Sequence, residues 1–493
     1  MIRVTDTVIK RQPHFANNCL FHPTDAVEDP WGKRILDRMA EDGAIETVRI
    51  YTMFEDILYM DETGKMTYDF RLSDLRLDYI VEKGYDLLLA YGGMPDCIAS
   101  RTDAKTSVSK NKTRYKGKMW NSAPPRDYGL WEELCYEYTK HIVERYGIER
   151  VSGWHMQCFN EPDIPAFFLS DLAPQNWQER LAAYCKLYEA FARGVSRVSD
   201  RIKIGGPALA GNLSFFGGFM DYVKEKCLKL DFISVHNYGT DPNHINSGER
   251  PLSVENNMER QREYARVMKE HGFERTPLIV DEWGGASHGF FNKEECPGLM
   301  FRENEIFSAY YAKLVHDLTM SDLKMEKLII CLSGQHEMVE DFSGFRNFFT
   351  LNFITKPIYN AHLLGAKLKD EVLAVERNEN GHLSVLATGD GVGRYAVLLC
   401  YADEHFTEAP PPITEALHFP AGAKGKTVTV WRIDKETANP YRLYERIGAP
   451  DMTDEVLTVL REEGRMKPIF KGKTDAPISL SLTANAVYLV TAE

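Results

Sequence analysis

Trp154-His155-Met156-Gln157-Cys158-Phe159-Asn160-Glu161-Pro162-Asp163 is the stretch from which the rest of the chain is read. It follows a helical run that ends in Arg145-Tyr146-Gly147. Helix, short turn, apolar strand and then Asn-Glu-Pro is the pattern of a barrel strand that delivers a carboxylate to the barrel's C-terminal face. The proline stops the strand and sets the turn. A second short apolar run, Thr276-Pro277-Leu278-Ile279-Val280-Asp281-Glu282-Trp283-Gly284-Gly285, also ends in a carboxylate followed by glycines. Either motif alone also reads as a turn or a helix cap. Together, two carboxylates on two strand ends of one barrel are what retaining glycoside hydrolysis requires.

Working outward, the strand-like segments are His14–Phe21, Glu46–Tyr51, Tyr85–Tyr91, Val151–Cys158, Ile202–Gly206, Asp231–His236, Leu278–Glu282 and Leu328–Leu332. Amphipathic helical runs separate them: Trp31–Asp42, Leu72–Lys83, Trp131–Arg145, Trp177–Val198, Phe219–Lys226, Val254–His271 and Glu303–Thr319. Strand and helix in regular alternation predict an α/β fold, a (β/α)8 TIM barrel over residues 14–362. Beyond Leu363 the helical period fades, apart from Asp454–Glu463. Short alternating runs such as Leu383–Ala387, Arg394–Tyr401, Thr427–Ile433 and Ala486–Thr491 predict a β-sandwich accessory domain over 363–493. The alternation Ile2, Val4, Thr7, Ile9 marks residues 1–13 as a strand that precedes the barrel.

Composition narrows the function. The 493 residues are enough for a barrel and a second domain. A net charge of −13 argues against nucleic acid or an acidic membrane surface as the partner. No stretch reaches the ~18 apolar residues of a membrane span, and the N-terminus lacks a signal-peptide core. Nine scattered cysteines without a CxxC pair read as reduced thiols in a cytoplasmic protein, with no metal site. No glycine-rich phosphate loop follows a strand, so no cofactor is expected. Between Arg101 and Lys118 seven basic residues face one acid, Asp103, in a segment that follows the third strand. It reads as a solvated loop or as a substrate-steering one.

In this chemistry Glu282 is assigned as nucleophile and Glu161 as acid/base. Arg49, ending the second strand in Val48-Arg49-Ile50-Tyr51, can hold the nucleophile ionised. Asn160 is placed for a sugar 2-hydroxyl. His236 and Tyr238 end the sixth strand, where a tyrosine hydroxyl can orient the nucleophile. Tyr91, Trp154, Phe159 and Trp283 are candidates for a stacking wall against a sugar ring.

These residues resemble glycoside hydrolase family 39, the β-xylosidase and α-L-iduronidase family. The resemblance is carried by Ala123-Pro124-Pro125-Arg126-Asp127-Tyr128, Trp131-Glu132-Glu133-Leu134, Asn160-Glu161-Pro162, Gly205-Gly206-Pro207-Ala208, Asp231–Tyr238, Asp281-Glu282-Trp283 and Lys356–Ala361. It implies a barrel with a β-sandwich that the N-terminal strand joins, and net retention through Glu161 and Glu282. It also admits a homo-oligomer. The departures fall near the first sugar subsite. Tyr51 stands where the family's β-xylosidases carry His, and Ala90 where they carry an acid. Asp163 replaces an Asn, and Cys331-Leu332-Ser333-Gly334-Gln335 replaces their Trp-Thr-Phe-Ser-Asp. The expected substrate is an oligosaccharide or glycoside, with a β-xyloside first. An α-L-iduronide, an arabinoside, a β-glucoside or a β-galactoside are the alternatives, as is a carbohydrate-binding protein without catalysis. Arg346 is a further candidate, as a contact for a uronide carboxylate.

Overall fold

The computed structural model describes residues 1–11, 14–20, 30–106, 119–289, 291–332 and 338–493. The expectations for Phe21, for Lys110 to Lys118 and for Ser333-Gly334-Gln335 lie outside the described residues.

Eight parallel strands close into a barrel in sequence order: Asn18–Leu20, Thr47–Tyr51, Asp86–Tyr91, His155–Cys158, Lys203–Leu209, Phe232–Thr240, Leu278–Ala286 and Lys327–Cys331. The last pairs with the first through Ile330 and Cys19. The strands are buried on both faces, as parallel sheets must be when helices cover them. Side chains alternate accordingly. Leu88, Phe232, Ile279 and Ile329 fill the barrel interior, whereas Leu87, Leu89, Leu278 and Val280 join the layer beneath the helices.

Caps set the helix ends. Asp127 accepts from the Gly129 N–H to start Tyr128–Tyr146, and Ser253 accepts from the Glu255 N–H to start Val254–His271. Gly272, at φ 86°, ends that helix in the left-handed region that glycine enters without steric cost. Asn212 caps the helix Leu213–Glu225, which therefore begins six residues before the apolar run at Phe219 suggests. Val151, expected in a strand, ends a short helix, Ile148–Val151, and the fourth barrel strand starts only at His155. The sixth and seventh strands run on to Thr240 and Ala286, so the residues expected at their ends lie within them.

The tail forms one nine-stranded sheet that curls over itself. Glu371–Arg377, Ile413–His418, Pro468–Lys473 and Ile478–Leu482 join the strands that the alternation marked, and a helix, Pro440–Arg446, adds to Asp454–Glu463. The N-terminal strand Ile2–Arg11 pairs antiparallel with Glu371–Arg377. Tyr395, Val397, Leu399 and Tyr401 point into a core shared with Leu417, Val430 and Leu480, which stand toward opposite ends of the sheet; only a folded-over sheet brings these together. The alternate residues, Ala396, Leu398 and Cys400, join the core of the barrel domain. The helices of the tail, in turn, hold the segment that follows the eighth strand. Phe342 packs on Tyr441 and Tyr444, and Arg461 donates to the Asn352 carbonyl at 2.7 Å. Among the described residues no helix is long and apolar enough to cross a membrane.

Candidate active site

A β-bulge builds the centre of the site. On the neighbouring strand Val235 pairs with Val280 but His236 pairs with Glu282, so Asp281 is the extra residue. In a regular strand Asp281 and Glu282 would point to opposite faces. Here both reach Arg49 of the second strand: Asp281 Oδ2 lies 2.9 Å from Nη2, and Glu282 Oε1 lies 2.8 Å from Nη1. Arg49 also donates to Gln157 Oε1 from Nε and Nη2, at 3.1 and 2.9 Å, and to Asn160 Oδ1 at 2.8 Å. A guanidinium has no acceptor. Both amides therefore turn their oxygens to it and present nitrogen elsewhere. Gln157 Nε2 donates to Asp281 Oδ2 at 2.7 Å. Asn160 Nδ2 is buried with no hydrogen-bond partner among the described residues.

Both oxygens of Glu282 are occupied. Oε1 takes the Arg49 bond and the Tyr51 hydroxyl at 3.2 Å, and Oε2 takes the Tyr238 hydroxyl at 2.7 Å. Burial pushes this carboxyl up, but the His236, Arg49 and Arg346 cations and the Tyr238 bond outweigh it and hold the group at about 2. Glu282 is thus a carboxylate at any ordinary pH.

Glu161 is the opposite case. It follows the fourth strand in a turn where Phe159 and Glu161 take φ of 65° and 43°. Non-glycine residues enter that region only when surrounding bonds compensate. The Glu161 N–H donates to the Ala208 carbonyl at 3.0 Å. The Asp163 carboxylate accepts from the backbone N–H groups of Ala210, Gly211 and Asn212 at 2.8, 2.9 and 2.9 Å, which ties the turn to the segment after the fifth strand. Burial raises the proton affinity of Glu161 and the Glu282 charge adds to it, more than the His236 cation lowers it. His236 Nδ1 lies 2.7 Å from Glu161 Oε1, and Nε2 lies 3.4 Å from Asp281 Oδ2. Burial disfavours the imidazolium, but Glu282, Asp281 and Glu161 hold His236 well above the ordinary histidine range.

Exposure separates the acids. The Glu161 and Glu282 side chains keep 16% and 10% of their surface, whereas Asp281 and His236 keep none, so of these four only the two glutamates are open to solvent. One oxygen of each, with a nitrogen of His236, falls within 4.8 Å of the others. That separation fits the ~5–5.5 Å of a retaining pair rather than the ~6.5–9.5 Å of an inverting one. The three ligand atoms could also hold a cation, and they are the one such group among the described residues. The adjacent Arg49 and Arg346 charges and the protonated His236 oppose a metal there.

The stacking wall is not where the sequence suggested. Trp283 is fully buried on the outer face of its strand, stacked on Tyr311 at 6.0 Å, because the bulge at Asp281 turns Glu282 inward and leaves Trp283 to the helices. Tyr91 bonds to Thr139, and Trp154 packs on Tyr146, both in that outer layer. Phe159 is fully buried against Trp120 and Phe168. Among the described residues Trp120 stands beside the site, 6.3 Å edge-on to Tyr51. It sits on a two-residue strand that no periodicity reveals. Gln157 and Asp281 were also missed as site residues; their position in the two opening motifs was the available signal. Arg346 reaches in from beyond the eighth strand and donates to the Tyr238 hydroxyl at 2.7 Å.

Known proteins share this architecture. A β-xylosidase of Caldicellulosiruptor saccharolyticus is 25% identical over 456 residues, covering 87% of this chain and 83% of its own. An α-L-iduronidase of Mus musculus is 24% identical over 261 residues, 48% of this chain and 34% of its own. The crystal structure of a monomeric β-xylosidase from Caulobacter crescentus superposes with a TM-score of 0.83 at 19% identity, covering 100% of this chain and 99% of that one, a likeness of fold. The model of glycosyl hydrolases family 39 matches residues 7–484. With its barrel, its accessory sheet and a retaining-type pair of carboxylates, this chain is a glycoside hydrolase and belongs to glycosyl hydrolases family 39.

Proposed function

We propose that the enzyme is an exo-acting glycosidase with β-xylosides as its substrates, Glu282 as nucleophile and Glu161 as acid/base. One observation carries the assignment of roles: of two carboxyls within 4.8 Å, Glu282 is held ionised by cations and tyrosines while Glu161 is pushed toward its neutral form. In the first step Glu282 attacks the anomeric carbon, the glycosidic bond breaks, and the leaving oxygen takes the Glu161 proton. Because His236 Nδ1 occupies Oε1 of Glu161, that proton belongs on Oε2. Ester formation removes the Glu282 charge, so Glu161 can stay ionised and take a proton from water in the second step. Water attacks the same carbon, the ester bond breaks, and the sugar leaves with its starting configuration.

The Asn160 amide, unpartnered among the described residues, would donate to a sugar 2-hydroxyl. Xylose is favoured by the β-xylosidase relative that aligns over most of both chains. The exchanges at Tyr51, Ala90 and Cys331 reshape the pocket that would hold it, so other pentosides and hexosides belong in the test. A panel of 4-nitrophenyl glycosides, with Glu282→Ala as control, decides the sugar. Azide should restore turnover in both alanine variants, giving the inverted glycosyl azide with Glu282→Ala and the retained one with Glu161→Ala. Swapped anomers would reverse the roles. No turnover by the wild type, with oligosaccharides still bound, would make the protein a binding module.

A further inference from the structure

Each oxygen of Glu282 meets a tyrosine, and each tyrosine meets an arginine. On one side Arg49 Nη1 lies 3.4 Å from the Tyr51 hydroxyl, which lies 3.2 Å from Oε1. On the other, Arg346 Nη1 lies 2.7 Å from the Tyr238 hydroxyl, which lies 2.7 Å from Oε2. The two sides differ in one respect. Arg49 also bonds Glu282 itself, whereas among the described residues the bond of Arg346 in the site goes to the tyrosine. Its guanidinium carbon stands 5.3 Å from the Tyr238 ring.

A phenol hydroxyl has one proton and can either donate it to the carboxylate or turn it elsewhere. Arginine only donates. When Arg346 donates to the Tyr238 oxygen, that oxygen must accept, and its proton is left for Oε2 of Glu282. We propose that Arg346 is a positioning residue that acts through Tyr238, fixing the direction of the Tyr238–Glu282 hydrogen bond. This rests on the reading of Glu282 as nucleophile. The consequence falls mainly on the second chemical step. As water attacks the anomeric carbon and gives its proton to Glu161, the ester bond to Glu282 breaks and the bonding pair returns to the carboxylate. A hydroxyl already aimed at Oε2 and polarised by a cation receives that charge without reorienting.

The test is a double-mutant cycle on Tyr238→Phe and Arg346→Met, with Arg346→Lys as the charge-preserving variant. It is read on whichever aryl glycoside the wild type turns over. Each single change should lower kcat/KM about 10- to 100-fold, the effect of one charge-assisted hydrogen bond. The double variant should lose less than the product of the two single losses, and Arg346→Lys should recover part of the loss. The acidic limb of the pH profile should rise in Tyr238→Phe and in Arg346→Met, and the rise in the double variant should be less than the sum of the two, the excess over Tyr238→Phe being the direct charge of Arg346. Among the described residues the other titratable or charged groups around Glu282, which are Arg49, Tyr51, Glu161, His236, Asp281 and Cys331, remain in every variant. Losses that multiply would overturn the proposal and place Arg346 directly on substrate. If Arg346→Met fails to fold, judged by circular dichroism, the same cycle is run with Arg346→Lys. A wild type silent on every glycoside would defeat the functional reading alone. The titration of Glu282, followed by 13C NMR in the unliganded protein, would still decide: Arg346→Met should move it up further in the wild-type background than on a Tyr238→Phe background, where only the direct charge of Arg346 is lost, and equal shifts in both would overturn the proposal.

Discussion

Arg49→Met removes the side chain that ties the site together. Glu282 loses an N–H···O bond of 2.8 Å. A hydrogen bond to a charged group contributes about 1.5–3 kcal/mol, and about 1.4 kcal/mol moves a carboxyl by one pH unit. The acidic limb of kcat/KM, which the proposed role assigns to Glu282, should therefore rise by about one to two pH units. Stability should change as well. Glu282 sits at about 2 against an ordinary 4.5, a difference worth about 3 kcal/mol. The sign follows from a depressed carboxyl: this stabilisation is complete above the ordinary value and is lost as pH falls through the folded one. At pH 7 the variant forfeits part of it. Asp281, with no exposed surface, also loses one of its two cations; His236 stays 3.4 Å away, so the cost should fall at or below the lower end of the about 3–5 kcal/mol for breaking a buried pair. The assays are kcat/KM against pH on the responsive glycoside, and urea unfolding at pH 7. An unmoved acidic limb with a wild-type unfolding midpoint would refute the argument that Arg49 holds both carboxylates.

His236→Gln removes the cation that opposes protonation of Glu161, so the basic limb of kcat/KM should move to higher pH; the acidic limb should rise with it, since Glu282 loses the same charge. An unchanged profile would mean that the imidazole is neutral. His236 is held above the ordinary histidine range, so its contribution to stability is complete below that range and fades as pH rises through its folded value, a slope that His236→Gln should flatten in unfolding titrations. Asn160→Ala should cost about 10- to 100-fold in kcat/KM on a glycoside with a 2-hydroxyl and little on its 2-deoxy analogue; equal losses on both would show that Asn160 serves only to support Arg49. Trp283→Ala should lower stability by about 3–5 kcal/mol as a core truncation while KM stays within about twofold, and a large KM effect would return Trp283 to the sugar.

The two carboxylates, the barrel and the tail were legible because each depends on local pattern. Apolar runs with strand and helix periods alternate along residues 14–332, and Asn160-Glu161-Pro162 and Asp281-Glu282 stand where strands stop or kink. Arg49, His236 and Tyr238 followed from the same reasoning, since a barrel gathers its strand ends at one face. Of the short strands that were missed, Ile413–His418 scarcely alternates in burial, whereas Ile478–Leu482 alternates strictly and was legible in the sequence. What tertiary structure alone decided is direction. The bulge at Asp281, visible only in the pairing with the sixth strand, turns two successive acids toward Arg49 and sends Trp283 out to Tyr311. Trp120 and Arg346 reach the site from outside the barrel strands, and the segment that carries Arg346 is held by helices from the far end of the chain. A sequence states which side chains are available; packing between residues hundreds apart states which way they point.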